Sequence, residues 1–175
     1  MPSGKQHLHT ELILLPVVIA GLYLLGERFP SVMLRSTDLL FVAGAYLLSS
    51  LLLSPDLDLR YNLARRRWGL LGVIWIPYIK LFKHRHLSHH LFFGPLSRIV
   101  YLLLVAGLVL FGLYRGHVIE RPDGIQFIDY LAIHRRSLLW IVLGLYLPNA
   151  LHILYDRIHS WLSWLPRRVR RHRHQ

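Results

Sequence analysis

Gly69-Leu70-Leu71-Gly72-Val73-Ile74-Trp75-Ile76-Pro77-Tyr78-Ile79-Lys80-Leu81-Phe82 is an apolar run of fourteen residues, broken by a proline and closed by Lys80 and Lys83. A helix needs about 20 apolar residues to cross the hydrocarbon of a bilayer, and an interior proline removes one of its hydrogen bonds. Trp75 and Tyr78 are residue types that gather at the membrane–water boundary. The run therefore predicts an interfacial or re-entrant helix that stays on one face. That reading decides the fold, because it sets which polar residues share a side.

Composition supports a membrane setting. Of 175 residues 54% are hydrophobic and only 17% charged, which fits one integral membrane domain better than a soluble one. Four stretches predict spans: about 8–25 with a kink at Pro16, about 38–54 stopped by Pro55, the run between Arg98 and Arg115, and about 137–156 with a bend at Pro148. No small-residue cleavage site follows the first run, so it is expected to be retained. The expected fold is all-α, an integral membrane bundle of four short spans plus the interfacial or re-entrant helix. Residues 1–165 form a single membrane-embedded helical metal-binding domain, and 166–175 form a basic tail.

With the run at 69–82 turned back, the odd-numbered spans leave the face that holds the N-terminus and the even-numbered ones return to it. That face then collects His7, Asp56, Asp58, His84, His89, His152 and Asp156. It also collects fifteen of the 21 lysines and arginines. The positive-inside rule makes it cytoplasmic, with both termini inside an inner (cytoplasmic) membrane crossed several times.

Each ligand pattern has a plain alternative. His152 and Asp156 are four apart on one helix face, which suits a shared ion or an ordinary helix-end pair. Asp56 and Asp58 follow a proline, and two neighbouring carboxylates repel unless a cation or a positive partner relieves them; Arg60 and Arg65–Arg67 offer such a partner. His84-Arg85-His86-Leu87-Ser88-His89-His90 packs four histidines into seven residues. In a helix His86 and His90 share a face, in a loop the choice of ligands stays open, and a basic strip beside head groups is the alternative. Arg85, whose planar fork suits phosphate or carboxylate, and Ser88 are expected to bind substrate, while no catalytic residue is assigned. His117, His134, His159, His172 and His174 are given no role.

With no cysteine present, a metal would be held by imidazole and carboxylate. The expected cofactor is one or two divalent ions, zinc first, with manganese or iron as alternatives. A net charge of +12 would suggest nucleic acid in a soluble protein. Here the basic residues interrupt apolar spans, so the expected partners are membrane lipid and, at the tail, anionic head groups, not nucleic acid; oligomeric state is not readable.

These residues carry a resemblance. Met1-Pro2-Ser3-Gly4-Lys5-Gln6-His7, Ser54-Pro55-Asp56-Leu57-Asp58, Arg67-Trp68-Gly69, Trp75-Ile76-Pro77-Tyr78, His84-Arg85, Leu87-Ser88-His89, Gly94-Pro95, Arg98 and Tyr101-Leu102 resemble an uncharacterised bacterial family of membrane metal-binding proteins over about residues 1–115. The Asp-x-Asp, the His-Arg block and the late His-x-x-x-Asp are more distantly similar to the LexA-regulated, membrane-bound metal-dependent hydrolases. His86 and His90 depart from that pattern, which has small residues there, and Leu8 departs where an acidic residue is common. The resemblance implies metal binding and, by extension, hydrolysis of a phosphoester or lipid-linked substrate. A non-catalytic metal protein with a structural or sensing site is the alternative. Transport, which wants polar groups near the bilayer middle, ranks last.

Overall fold

The computed structural model describes residues 4–30, 33–58, 63–81, 90–120 and 123–171, with the side chains of Asp56, Asp58 and 163–171 excepted. In chain order the helices are α1 (Gly4–Arg28), α2 (Ser36–Leu52), α3 (Leu63–Arg67), α4 (Trp75–Leu81), α5 (Phe93–Arg115), α6 (Gly124–Ile133) and α7 (Arg135–Arg171), with 3-10 turns at Pro55–Asp58 and Gly69–Ile74. No strand occurs among the described residues. Three helical stretches, Gly4–Arg28, Phe93–Arg115 and Arg135–Leu162, are long and apolar enough to cross a membrane. The sequence predicts four crossings. As the second of these, α2 has 17 residues, or about 26 Å at 1.5 Å per residue, less than the ~30 Å of a typical hydrocarbon core.

α2 is the central element because its apolar positions recur with the helical period. Val42, Ala45, Tyr46, Ser49 and Ser50 are all buried, a stripe spaced three and four residues apart. α7 packs along that stripe, and the two backbones approach closely at Gly144. A β-carbon placed there would lie 2.5 Å from the Val42 carbonyl oxygen and 2.8 Å from the Ala45 β-carbon. A small residue at a helix crossing lets backbones touch. One turn further on, Ser49 Oγ donates to the Leu145 carbonyl at 2.8 Å across the same seam.

The last carbonyls of a helix lack intrahelical partners, and at the end of α2 the following chain supplies them. Arg67 donates to the Leu51 carbonyl at 3.0 Å, Trp68 Nε1 to the Leu52 carbonyl at 3.0 Å, and Arg98 to the Leu53 carbonyl. Two of the three donors are cations, which also complements the negative end of the helix dipole. Trp68→Phe keeps the ring against Trp75 but removes one part-buried hydrogen bond. It is expected to lower stability by about 1 kcal/mol, measured as a small fall in melting temperature.

The 69–81 segment is six 3-10 residues followed by a seven-residue α-helix. At ~2.0 and ~1.5 Å per residue that is roughly 22 Å end to end, too short to cross. Its aromatic residues, however, do not face outward as boundary residues would. Trp75 and Tyr78 are fully buried with Leu53, Leu57 and Ala64, and Trp75 meets Trp68, Tyr78 and Tyr101 at centroid distances of 5.5–5.6 Å. The outer surface is aliphatic instead, with Leu70 95% exposed. Arg98, which bounds the third apolar run, is likewise only 1% exposed. It donates to Asn149 Oδ1 at 3.0 Å, and Asn149 Nδ2 in turn donates to the Leu91 carbonyl. A buried guanidinium needs acceptors, and the end of α2 together with α7 provides them.

At the other end of the bundle, Asp38 accepts from the Arg35 amide at 2.9 Å and from Arg136 NH2 at 2.6 Å. This ion pair fastens the start of α2 to the start of α7. α7 then runs 37 residues without a break, past residue 165, where the sequence places the start of the tail.

Candidate metal centre

Two i, i+4 pairs on facing helices make the site. His7 and Glu11 project from the first turns of α1, and His152 and Asp156 from the middle of α7. Such spacing puts both members of a pair on one helix face, so one helix contact brings four groups together. The Tyr46 hydroxyl donates to the Glu11 carbonyl oxygen at 2.7 Å, which holds α1 against α2 at this level.

His7 Nε2 lies 3.2 Å from Asp156 Oδ1, and His152 Nε2 lies 4.0 Å from Asp156 Oδ2. The two imidazoles stack with centroids 3.8 Å apart and planes 16° from parallel. One ligand atom from each of His7, His152 and Asp156 falls within 4.8 Å of the others. A tetrahedral ion with bonds of about 2.05 Å sets its ligands about 3.4 Å apart, and the two imidazole–carboxylate distances bracket that value. Near-parallel rings aim their lone pairs the same way, so the imidazoles would have to splay to share one ion.

Glu11 supplies the fit test. Its Oε1 is 3.1 Å from His152 Nδ1, and both residues are buried. A carboxylate there accepts the Nδ1 proton and leaves Nε2, the nitrogen facing Asp156, as the lone-pair donor. Metal-binding histidines usually carry such a partner on the other nitrogen. The donor set agrees as well: imidazole nitrogen and carboxylate oxygen suit a divalent ion such as zinc, manganese or iron. His7 and His152 are buried, whereas Asp156 is 20% exposed, so the carboxylate is the ligand nearest to solvent. Tyr155 closes one side, edge-on to His7 at 5.1 Å.

Of the seven residues the sequence points to, His7, His152 and Asp156 are brought together. The side chains of Asp56 and Asp58 lie outside the described residues, and so do His84, Arg85, His86, Ser88 and His89. The backbone of the Asp-x-Asp stretch is a 3-10 turn at the foot of α2. His90 is exposed, and its Nδ1 accepts from the amides of Phe92 and Phe93 at 3.3 Å, so it caps the first turn of α5. His134 stacks on Tyr130 at 4.0 Å on the far side of the fold. Glu11 is not among the residues the sequence points to. The available signal was a carboxylate inside an apolar run, four residues after a candidate ligand.

A family model described as "Uncharacterized metal-binding protein (DUF2227)" matches residues 2–166 of this chain. A curated relative, an "Uncharacterized protein" of Aquifex aeolicus (strain VF5), is 29% identical over 126 residues, which cover 67% of this chain and 89% of that protein. No solved structure matches.

Proposed function

The chain belongs to this family of uncharacterized metal-binding proteins, and from that premise we propose that it holds a divalent cation between His7, His152 and Asp156 as a membrane-bound, metal-dependent hydrolase. The observation that carries the reading is the buried Glu11–His152 contact at 3.1 Å, which turns the Nε2 side of His152 toward the Asp156 carboxylate, with the His7 imidazole stacked alongside.

Three protein ligands with one position left open is the pattern of catalytic sites. A divalent ion there would supply Lewis acidity and a more acidic bound water. The protein's own part is to position. Glu11 fixes the His152 tautomer, Tyr46 sets the depth of α1, and Asp156 faces the solvent side from which substrate would enter. Asp56, Asp58, His84 and His89 are proposed to complete a one- or two-ion site, zinc first, and Arg85 with Ser88 to hold an anionic phosphoester or lipid-linked substrate.

In this reading α1, α5 and α7 cross the inner membrane, α2 crosses as a shorter fourth span beside them, and 69–81 stays at the cytoplasmic face. Both termini are then cytoplasmic, and the basic tail meets anionic head groups. Reporter fusions after Leu81 and after Gln175 should both report the cytoplasm. A reporter after Leu81 that is active outside the cytoplasm would rule out the four-span arrangement.

Burial favours a second reading. His7 and His152 are at most 5% exposed and stack between α1 and α7, so an ion here would also brace two helices that otherwise touch little. The two readings separate in one assay. Purified protein reloaded with zinc, manganese or iron is offered phosphoester and amide substrates. Hydrolysis that is lost on chelation and restored by metal supports the enzyme. Metal-dependent thermal stability with no turnover supports the brace.

A further inference from the structure

We propose that α6 is a membrane-surface anchor, lying in the head-group and acyl boundary of the leaflet opposite the metal centre. The inference rests on the membrane reading above.

α6 is capped by Asp123, whose carboxylate accepts from the amides of Ile125 and Gln126 at 2.8 and 3.4 Å. Its start is therefore set by the local sequence and not by packing. None of its residues is buried, yet eight of its ten are glycine, alanine, aliphatic or aromatic. Ile125, Phe127, Ile128, Tyr130 and Ile133 are each more than half exposed. An apolar surface of this kind left open to water is unfavourable and marks a contact.

The ends of α6 say what that contact is. The helix sits between Arg115, the last residue of α5, and Arg135, the first of α7, so it is tied to the same ends of two helices apolar enough to cross. Ten residues span about 15 Å, so α6 cannot cross and must lie at the level of those ends. His152 is 17 residues from Arg135, about 26 Å along α7, which puts the metal centre near the other boundary.

At about 100° per residue, Gln126 and Asp129 fall within about 60° of each other, with Ile133 of the last turn between them. Phe127, Ile128 and Leu131 occupy the opposite arc. A narrow polar strip facing water and a wide apolar arc facing acyl chains is the pattern of an interfacial helix. Arg135 and Tyr130 stand at its end, where boundary residues are favoured. A second copy of the chain would be the other way to cover the arc, and the test separates the two.

The chain has no cysteine, so single-cysteine variants carry a nitroxide label at one place only. Ile128→Cys, Gln126→Cys and Leu104→Cys, the last at an exposed position midway along α5, are labelled and reconstituted in phosphatidylglycerol/phosphatidylethanolamine vesicles. Collision with oxygen, enriched in lipid, is compared with collision with a water-soluble nickel chelate. The expected result is oxygen dominant at 104 and 128 and nickel dominant at 126. Oxygen at 104 with nickel dominant at both 126 and 128 overturns the anchor while leaving the membrane reading intact. Protection from both reagents at 128 also overturns it, in favour of a protein contact. Nickel dominant at 104 removes the membrane reading and the anchor together.

Discussion

His152→Ala is expected to leave the purified protein without stoichiometric divalent metal. The second nitrogen of His152 is held by another buried side chain, Glu11, at 3.1 Å. Removing the histidine takes away a donor and its orienting contact together and leaves the Glu11 carboxylate beside a void. Loss of an orienting partner alone typically costs 10–100-fold in metal affinity, so Glu11→Gln should weaken binding by roughly that factor. His152→Ala should exceed it. His159→Ala, at an exposed position further along α7, should bind as the unmodified chain does. Metal content by elemental analysis and affinity by competition with a chelating dye give the ranking. Equal metal in His152→Ala and unmodified protein, with the fold intact by circular dichroism, would eliminate the proposed centre. Glu11→Gln binding as tightly as the parent would eliminate only the orienting role.

Gly144→Leu should produce the largest loss of stability among the packing changes considered. The obstacle to a side chain there is the Val42 carbonyl, 2.5 Å from the position of a β-carbon. Backbone cannot swing aside as a long side chain can, so α2 and α7 must separate. Overpacking in a tight core costs about 1–3 kcal/mol, and a clash with backbone belongs at the upper end. For a chain of this length that corresponds to a fall of roughly 6–12 °C in melting temperature. Gly144→Ala should show the same effect in smaller measure. The Ser49–Leu145 hydrogen bond lies on the same seam, and His152 is two turns further along α7. The displacement should therefore weaken metal binding as well as stability, without any ligand having been touched. A Gly144→Leu protein melting within a degree or two of the parent would mean that the α2–α7 contact is looser than described.

Helices and their candidate ligands were legible in the sequence because both are local properties. The apolar runs behind α1, α5 and the apolar part of α7 are visible by length alone, and His152-x-x-x-Asp156 declares a shared face wherever that helix goes. The run at 69–82 was legible as an apolar segment shorter than the three helices long enough to cross. What the aromatic side chains pack against was not legible. Residue type places Trp75 and Tyr78 near a boundary, and the structure adds that they fill the space between the end of α2 and Tyr101. Arg98 bounds an apolar run in the sequence and is buried by its acceptors in the fold. Side-chain type states a preference; the neighbours decide whether water, lipid or protein satisfies it.

Glu11 marks the same limit inside the site. Within the apolar run at 8–25 it is the lone carboxylate, expensive and without a partner in sequence. Its partner is 141 residues away. The composition and spacing of this chain determined that it would be helical and that His152 and Asp156 would share one helix face. Only the tertiary structure, through the close approach at Gly144 and the Tyr46 contact to α1, decided that His7, Glu11, His152 and Asp156 meet. Backbone propensity acts over a few residues, whereas the meeting of two helix faces depends on packing between segments that the sequence keeps far apart.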